Sequence, residues 1–288
     1  MAFFLLGVSI FLSTGRNILS KNLSDVRFGT RRFFLYQGIL FLCGCAVLVL
    51  LEKLSFAGVS IETVIYAIFY GILLIFAQWF YTAAISRGNT ALCSTVYSLG
   101  FVIPTLSGAI LWSEAFTYLD AVGILCAALA VIISGSRSKT CTTSEGGYYF
   151  IPLVIAMIAS GGLGIIQKLQ QRSFYAEQKS VFLLIAFLFA ASVSFLFALF
   201  SKQEGTASVA RSKLITSVFI GICFGCCNLL NTTLAGMLDS AVFFPTLNIG
   251  VVLLSMLSGI IFLGEKISKK VVAILFLGLA SILLLNLG

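Results

Sequence analysis

The hydrophobic residues of this chain are grouped into ten long runs that are separated by short polar stretches. A helix that crosses the hydrocarbon core of a membrane needs about 20 consecutive apolar residues, and each run comes close to that length. The runs predict transmembrane helices over residues 2–20, 33–51, 61–84, 90–112, 117–134, 148–169, 180–200, 212–236, 240–263 and 270–287.

The polar stretches between these runs are too short to hold a soluble domain. The longest, such as Lys21–Arg32 and Ser136–Gly147, cover about a dozen residues. Three others, at Arg87–Asn89, Ser113–Glu114 and Leu238–Asp239, have only two or three residues. Such short connections force neighbouring helices to run antiparallel. The expected fold class is therefore all-α, a polytopic membrane protein with ten transmembrane helices.

Composition supports the membrane assignment and excludes several other classes of protein. The 288 residues are 60% hydrophobic and 10% charged, whereas soluble domains average about 25% charged residues. This excludes a soluble enzyme, a nucleic-acid-binding domain and a disordered regulator. We expect an integral, multi-pass protein of the cell (inner) membrane of a bacterium, whose partners are the lipid bilayer and a small-molecule solute, with no nucleic acid.

The supply of reactive side chains is small. The chain has no His, so the commonest general base and metal ligand are missing. Of the eight Cys, all except Cys141 lie in apolar runs, where Cys is a well-tolerated buried residue. We expect no cofactor, no metal, no disulfide framework and no enzyme activity.

Two segments of the first half are repeated in the second. Ser13–Lys21 matches Ser160–Lys168, and Ser107–Glu114 matches Ser258–Glu265, at shifts of 147 and 151 residues. At a shift of 150 the matched pairs are Gly71 and Gly221, Gln78 and Asn228, Thr82 and Thr232, and Gly100 and Gly250. The prediction is a five-helix repeat over 1–135, a linker over 136–147, and a second five-helix repeat over 148–288. Because five is odd, the second repeat would be inverted in the membrane.

The ends of certain spans resemble a known family. The fourth span of each half ends in Trp112-Ser113-Glu114 or Leu263-Gly264-Glu265-Lys266, and Arg31-Arg32-Phe33 opens the second span. With ten spans as two fives, this pattern resembles the drug/metabolite transporter superfamily, and within it the EamA-like family. The resemblance implies a central cavity surrounded by helices 1, 3, 4, 6, 8 and 9, and movement of small metabolites, amino acids, sugars or drugs.

The orientation in the membrane stays open. Loops after odd-numbered spans carry 13 Lys and Arg, and the other loops carry 4. The positive-inside rule then places both termini outside, whereas the resemblance implies cytoplasmic termini.

Polar side chains on the third and eighth spans are the first candidates for solute binding. Gln78, Tyr81 and Thr82 share one helix face, and Asn228, Asn231 and Thr232 repeat the same spacing. Amides both donate and accept hydrogen bonds, which suits a polar or amphipathic solute. The alternatives are that the amides join helices to one another and that the Thr hydroxyls bond to their own helix carbonyls.

The remaining candidates lie on other spans. Asn17 lies on the first helix, which the resemblance assigns to the cavity wall. Neighbouring Arg16 either extends to the membrane surface or contacts a substrate carboxylate. The aromatic candidates are Trp79, Tyr81 and Tyr97, which either stack on a solute or pack, and Asn248 is the amide candidate on the ninth span.

Charged residues at span ends are expected to have structural roles. Lys21 and Lys168 are interpreted as interfacial anchors, and Glu114 and Glu265 as caps of tight turns. No carboxylate lies at the centre of a predicted span, which favours a facilitator or exchanger over a proton antiporter.

The functional prediction is a transporter of a small polar or amphipathic organic solute, working by alternating access. Its rivals are a non-transporting membrane scaffold or subunit and, further behind, a membrane-embedded lipid-modifying enzyme. Polar side chains between helices 3 and 8 favour transport, whereas an apolar, tightly packed centre favours a scaffold. The oligomeric state is left open, and a monomer is plausible.

Overall fold

The computed structural model describes residues 1–20, 23, 29–52, 54, 56, 58–85, 93, 96–135, 150–201, 211–263 and 269–287. Within these residues the regular structure is helical, without strands. The long helices are α1 (Ala2–Ser20), α2 (Arg31–Leu51), α3 (Ile61–Ile85), α4 (Val102–Trp112), α5 (Tyr118–Gly135), α6 (Phe150–Arg172), α7 (Lys179–Phe200), α8 (Arg211–Met237), α9 (Ser240–Leu263) and α10 (Lys269–Leu287).

The chain is an all-helical membrane protein. Among the described residues, six helices are long and apolar enough to cross a membrane, namely α1, α2, α3, α6, α7 and α8. The other four contain shorter apolar stretches. Large apolar side chains such as Phe4, Leu50 and Phe200 are exposed on the outside of the bundle. Water-soluble monomers do not expose so much apolar surface, whereas lipid covers it at no cost.

The fourth predicted span is interrupted near its middle. Residues 96–98 are helical, and the chain tightens into a 3₁₀ turn at Leu99–Phe101 before α4 starts. Pro104 is the third residue of α4. Proline has no N–H to give to the preceding turn and is therefore tolerated in the first turn of a helix, so the helix restarts just before it.

The sixth predicted span is longer than the hydrophobic pattern suggested. The prediction ended it at residue 169, whereas α6 continues to Arg172. The polar residues at its end remain helical because they have partners inside the protein, as described below. Lys168 consequently lies one turn inside the helix rather than at its end.

Helices of the first half pack mainly against helices of the second half. The main contacts of α2 are with α7 and α8, those of α3 are with α6 and α7, and those of α1 are with α8 and α9. The α4–α9 and α5–α10 pairs complete the arrangement. The two halves are therefore interleaved.

The buried apolar side chains form two large clusters. One joins α2, α3, α7 and α8 around Phe41, Phe182 and Phe187. The other joins α1, α4, α5, α8, α9 and α10 around Phe243 and Ile249. The helix α8 contributes to both clusters, and so it connects the two parts of the core.

Candidate functional site

A chain of buried hydrogen bonds connects α3, α6 and α8. The Tyr70 hydroxyl donates to Oδ1 of Asn228 over 2.6 Å, and the Gln167 amide donates to the Tyr70 oxygen over 2.8 Å. The same Gln167 amide donates to the Thr232 hydroxyl over 3.1 Å. Asn228 also donates to the Phe224 carbonyl over 2.8 Å. These groups satisfy one another, so the network fixes the positions of three helices.

A second set of polar contacts runs along the α1–α8 interface. The Ser9 hydroxyl donates to Oδ1 of Asn231, and the Ser13 hydroxyl contacts Sγ of Cys227 at 3.4 Å. One turn further along α1, the Arg16 guanidinium lies 5.8 Å from the centre of the Phe224 ring. Residues with higher numbers on α1 contact residues with lower numbers on α8, so the two helices run antiparallel.

Two candidate amides differ sharply in their surroundings. Asn228 is buried and fully hydrogen-bonded. The Gln78 side chain is partly exposed, and no hydrogen bond to it is found within the described residues. Thr82 donates back to the Gln78 carbonyl over 2.8 Å, as the alternative interpretation expected. Within the described residues, the Gln78 amide is therefore less constrained than that of Asn228.

The aromatic candidates fall into two different places. Trp79 packs edge-on against Phe34 and Phe197, with ring centres 4.8 and 4.9 Å away. This is a packing role. Tyr81 and Tyr97 stand against each other with ring centres 4.5 Å apart, and both are partly exposed. This second pair joins α3 to the helical stretch that precedes α4.

Asn17 and Asn248 make mainly local contacts. Asn17 is exposed and accepts a long hydrogen bond of 3.4 Å from Arg16. Asn248 is partly exposed and donates to the Phe244 carbonyl of its own helix over 2.9 Å. Neither belongs to the buried network.

One sequence interpretation requires correction, because Lys168 is not an interfacial anchor. It is 1% exposed, and its Nζ lies 2.7 Å from Oε1 of Glu114. The same Nζ donates to the Leu238 carbonyl over 2.7 Å. Arg172 also reaches Oε1 of Glu114, at 2.9 Å. Lys168 therefore lies inside the protein, in contact with a buried carboxylate.

The turn after α4 brings Glu114 to this position. Ser113 adopts a left-handed conformation with φ of 51°, which turns the chain sharply at the end of the helix. Oε2 of Glu114 then accepts from the backbone N–H of Ser240 over 2.8 Å, at the start of α9. A Cβ added at Gly108 would lie 2.5 Å from Oε2, so the glycine makes room for the carboxylate. Glu114 therefore bonds the start of α9, and not only its own tight turn as the sequence suggested; Glu265 lies outside the described residues.

The ion pair makes stability depend on pH. Burial raises the pKa of the Glu114 carboxyl, but Lys168 and the Ser240 N–H lower it more, and the resulting pKa lies below its ordinary 4.5. Because the folded-state pKa is depressed, the carboxylate stabilises the fold above the unfolded-state pKa, and this contribution is lost as pH falls through the folded-state pKa.

We therefore expect the melting temperature of the detergent-solubilised protein to fall as the pH drops below about 5. The fall should be steeper for the wild-type protein than for the E114Q variant, which has no carboxyl at this position. Thermal unfolding of both proteins at pH values from about 3 to 7 measures the difference. Parallel curves would show that Glu114 does not contribute in this way.

Two residues of the polar network were not among the predicted site residues. Tyr70 counted as part of an apolar run, although it lies on the same face of α3 as Tyr81, three turns earlier. Gln167 precedes Lys168 in the repeated segment Ser160–Lys168, and an amide inside a predicted span was the signal that could have identified it.

Comparison with known proteins supports the fold alone. No family model matches the chain, and no curated protein does. Several solved structures match it. One, described as "Crystal structure of protein", has a TM-score of 0.78 at 17% sequence identity, over 99% of this chain and 97% of the other. At that identity the two chains share an architecture, which spans nearly the whole of each.

Proposed function

We propose that the chain is a transporter of the drug/metabolite type, which moves a small polar or amphipathic organic solute between two inverted five-helix halves. The observation that carries the proposal is the set of polar side chains that α1, α3, α6 and α8 direct toward one another inside an otherwise apolar bundle. Buried polar groups are costly in a membrane and usually serve a pathway or site.

Two pairs of glycines support the inverted repeat. Gly71 of α3 approaches α7, and its sequence equivalent Gly221 of α8 approaches α2. Likewise Gly100, just before α4, approaches α6, and its equivalent Gly250 of α9 approaches α1. If α1–α5 are exchanged with α6–α10, the α3–α7 contact becomes the α8–α2 contact, and the contact of the Gly100 region with α6 becomes that of α9 with α1. A two-fold axis between the halves requires this correspondence.

The helix pairs follow the same exchange. The α1–α8 contact corresponds to α6–α3, the α2–α8 contact to α7–α3, and the α1–α9 contact to α6–α4. Each of the pairs α2–α7, α4–α9 and α5–α10 joins a helix to its equivalent in the other half, so the exchange leaves these pairs unchanged. Such interleaved halves can rock against each other around a site between them, which is the basis of alternating access.

A facilitator or exchanger fits the charges better than a proton antiporter. Glu114 lies at the end of α4, where Lys168 and Arg172 hold it. Asp120, which is also buried, lies in the first turn of α5 and bonds to Thr117. We propose that solute moves down its own gradient or in exchange for another solute.

The direct test is the movement of solutes through the purified protein in proteoliposomes. Vesicles loaded with a mixture of polar and amphipathic metabolites are sampled over time, and each solute is measured by mass spectrometry. Faster exit of particular solutes than from protein-free vesicles supports transport. Equal exit of every solute overturns it.

Gln78→Leu should reduce that flux at least several-fold while leaving the melting temperature nearly unchanged, because the amide has no hydrogen bond within the described residues. Asn286→Leu is the matched control, since Asn286 is an exposed amide on α10 whose described hydrogen bond goes to its own helix. Flux through Q78L equal to that through N286L would remove Gln78 from the solute path.

A further inference from the structure

Arg16 lies at mid-height in the bundle, where a charged side chain needs a partner. Its guanidinium lies against the Phe224 ring, and Phe224 is the middle residue of α8, 13 residues from Arg211 and 13 from Met237. At a rise of about 1.5 Å per residue, each end of the helix is about 20 Å away. The guanidinium therefore lies near the middle of α8, far from both of its ends.

No carboxylate of the described residues pairs with Arg16. Its one described hydrogen bond is the 3.4 Å contact with Asn17, and the side chain is half-buried. Four described carboxylates bond to side chains other than Arg16: Glu52 to Ser180, Glu62 to Tyr66, Glu114 to Lys168, and Asp120 to Thr117. By contrast, the fully buried Lys168 has its own carboxylate at 2.7 Å.

The groups around Arg16 are neutral and aromatic. The Phe224 ring lies against the guanidinium, and one turn earlier on α1 the Ser13 hydroxyl contacts Sγ of Cys227. The surroundings therefore offer ring faces and hydroxyls, but no negative charge from the described residues.

We propose that Arg16 binds the anionic group of the transported solute, which makes the substrate a small organic anion with a carboxylate or phosphate group. The proposal rests on the function proposed above. A guanidinium is planar and presents paired N–H donors that match a carboxylate or phosphate in two parallel hydrogen bonds.

The test compares ligands of similar shape and different charge. Benzoate and phenyl phosphate are the anionic probes, benzamide is neutral and benzylamine is cationic. Binding is followed by the rise in melting temperature of the purified protein as each probe is added, since a ligand of the folded state stabilises it by mass action. We expect benzoate, phenyl phosphate or both to stabilise the wild-type protein more than benzamide, and benzylamine not to stabilise it. The response to each anion distinguishes the carboxylate from the phosphate.

Arg16→Gln should weaken binding of the anionic probe about 10- to 100-fold, because a charge-assisted pair of hydrogen bonds is lost. Arg16→Lys keeps the charge without the planar donors and should give an intermediate affinity. The stability of the free R16Q protein should not fall, since no described carboxylate loses a partner when this charge is removed. Arg172→Gln changes the net charge equally on the exposed side of the Glu114 cluster, and should leave probe binding unchanged.

Equal stabilisation by all four probes, or anion binding that R16Q does not weaken, would overturn the proposal. The proteoliposome experiment separates this failure from failure of transport. If anions bind through Arg16 but no solute crosses faster than in protein-free vesicles, the anion site stands and the transport function is wrong. If only neutral or cationic solutes cross, and R16Q carries them as well as wild type, transport stands and the anionic substrate class is wrong.

Discussion

E114Q is expected to lower the free energy of unfolding by about 3–5 kcal/mol, because it leaves the buried ammonium of Lys168 without a carboxylate. In the folded protein that ammonium lies 2.7 Å from Glu114 and is 1% exposed. After the substitution its remaining described hydrogen bond goes to the Leu238 carbonyl, a dipole that cannot neutralise a full charge. Unfolding by SDS in mixed detergent micelles measures the loss.

Replacement of the other partner, Lys168, should lower the free energy of unfolding less than E114Q does. In Lys168→Met, the Glu114 carboxylate keeps Arg172 at 2.9 Å and the Ser240 N–H at 2.8 Å. The double variant E114Q/K168M removes both charges and should recover much of the stability lost in E114Q, as neutral replacement of a buried ion pair commonly does. An E114Q protein as stable as wild type, or a double variant less stable than E114Q, would contradict the assigned role.

Arg172→Gln is the control for a simple loss of positive charge. Arg172 contacts the same carboxylate oxygen, but its side chain is 46% exposed. Water and salt screen such a contact, so the expected loss is below about 1 kcal/mol. A loss as large as that of E114Q would mean that Arg172, and not Lys168, is the principal partner of Glu114.

The helices themselves could be predicted from the sequence because the membrane leaves the chain little choice. In hydrocarbon every backbone group must be hydrogen-bonded within the segment, so an apolar run of about 20 residues is a helix. The predicted bounds of the helices were wrong at two places, and local contacts explain both. The turn before Pro104 divided one span, and the partners of Lys168 kept the end of α6 helical.

The partners of polar side chains could not be predicted in the same way. Lys168 looked like an anchor because it lies near the end of an apolar run, and its partner Glu114 is distant in the sequence. The height of Arg16 in the bundle depends on how far α1 is shifted along α8, which the packing of the helices determines. Sequence spacing identifies which residues share a helix face, but not which face of another helix they meet.

The closeness of α2 and α8 gives the second large prediction. Gly221→Ala should lower the free energy of unfolding by about 1–3 kcal/mol, the usual cost of overfilling a packed interface. The added Cβ would lie 2.5 Å from the Leu40 carbonyl oxygen and 2.6 Å from Cβ of Cys43. The first of these atoms belongs to the backbone, so a change of rotamer cannot relieve the clash and the two helices must separate.

Alanine substitutions at two other glycines serve as comparisons for the stability loss of Gly221→Ala. Gly71→Ala should lower the free energy of unfolding less than Gly221→Ala does. The Cβ added at Gly71 would lie 2.8 Å from the Phe189 ring, which can turn aside. The nearest backbone atom, the Ala186 carbonyl oxygen, would lie 3.0 Å away. Gly7→Ala, with no heavy atom within 4 Å, should be neutral or stabilise the protein by up to about 1 kcal/mol through its better helix propensity. A Gly221→Ala protein as stable as Gly7→Ala would mean that α2 and α8 do not approach this closely. The interleaving of the two halves on which the transport proposal depends would then lose one of its closest approaches.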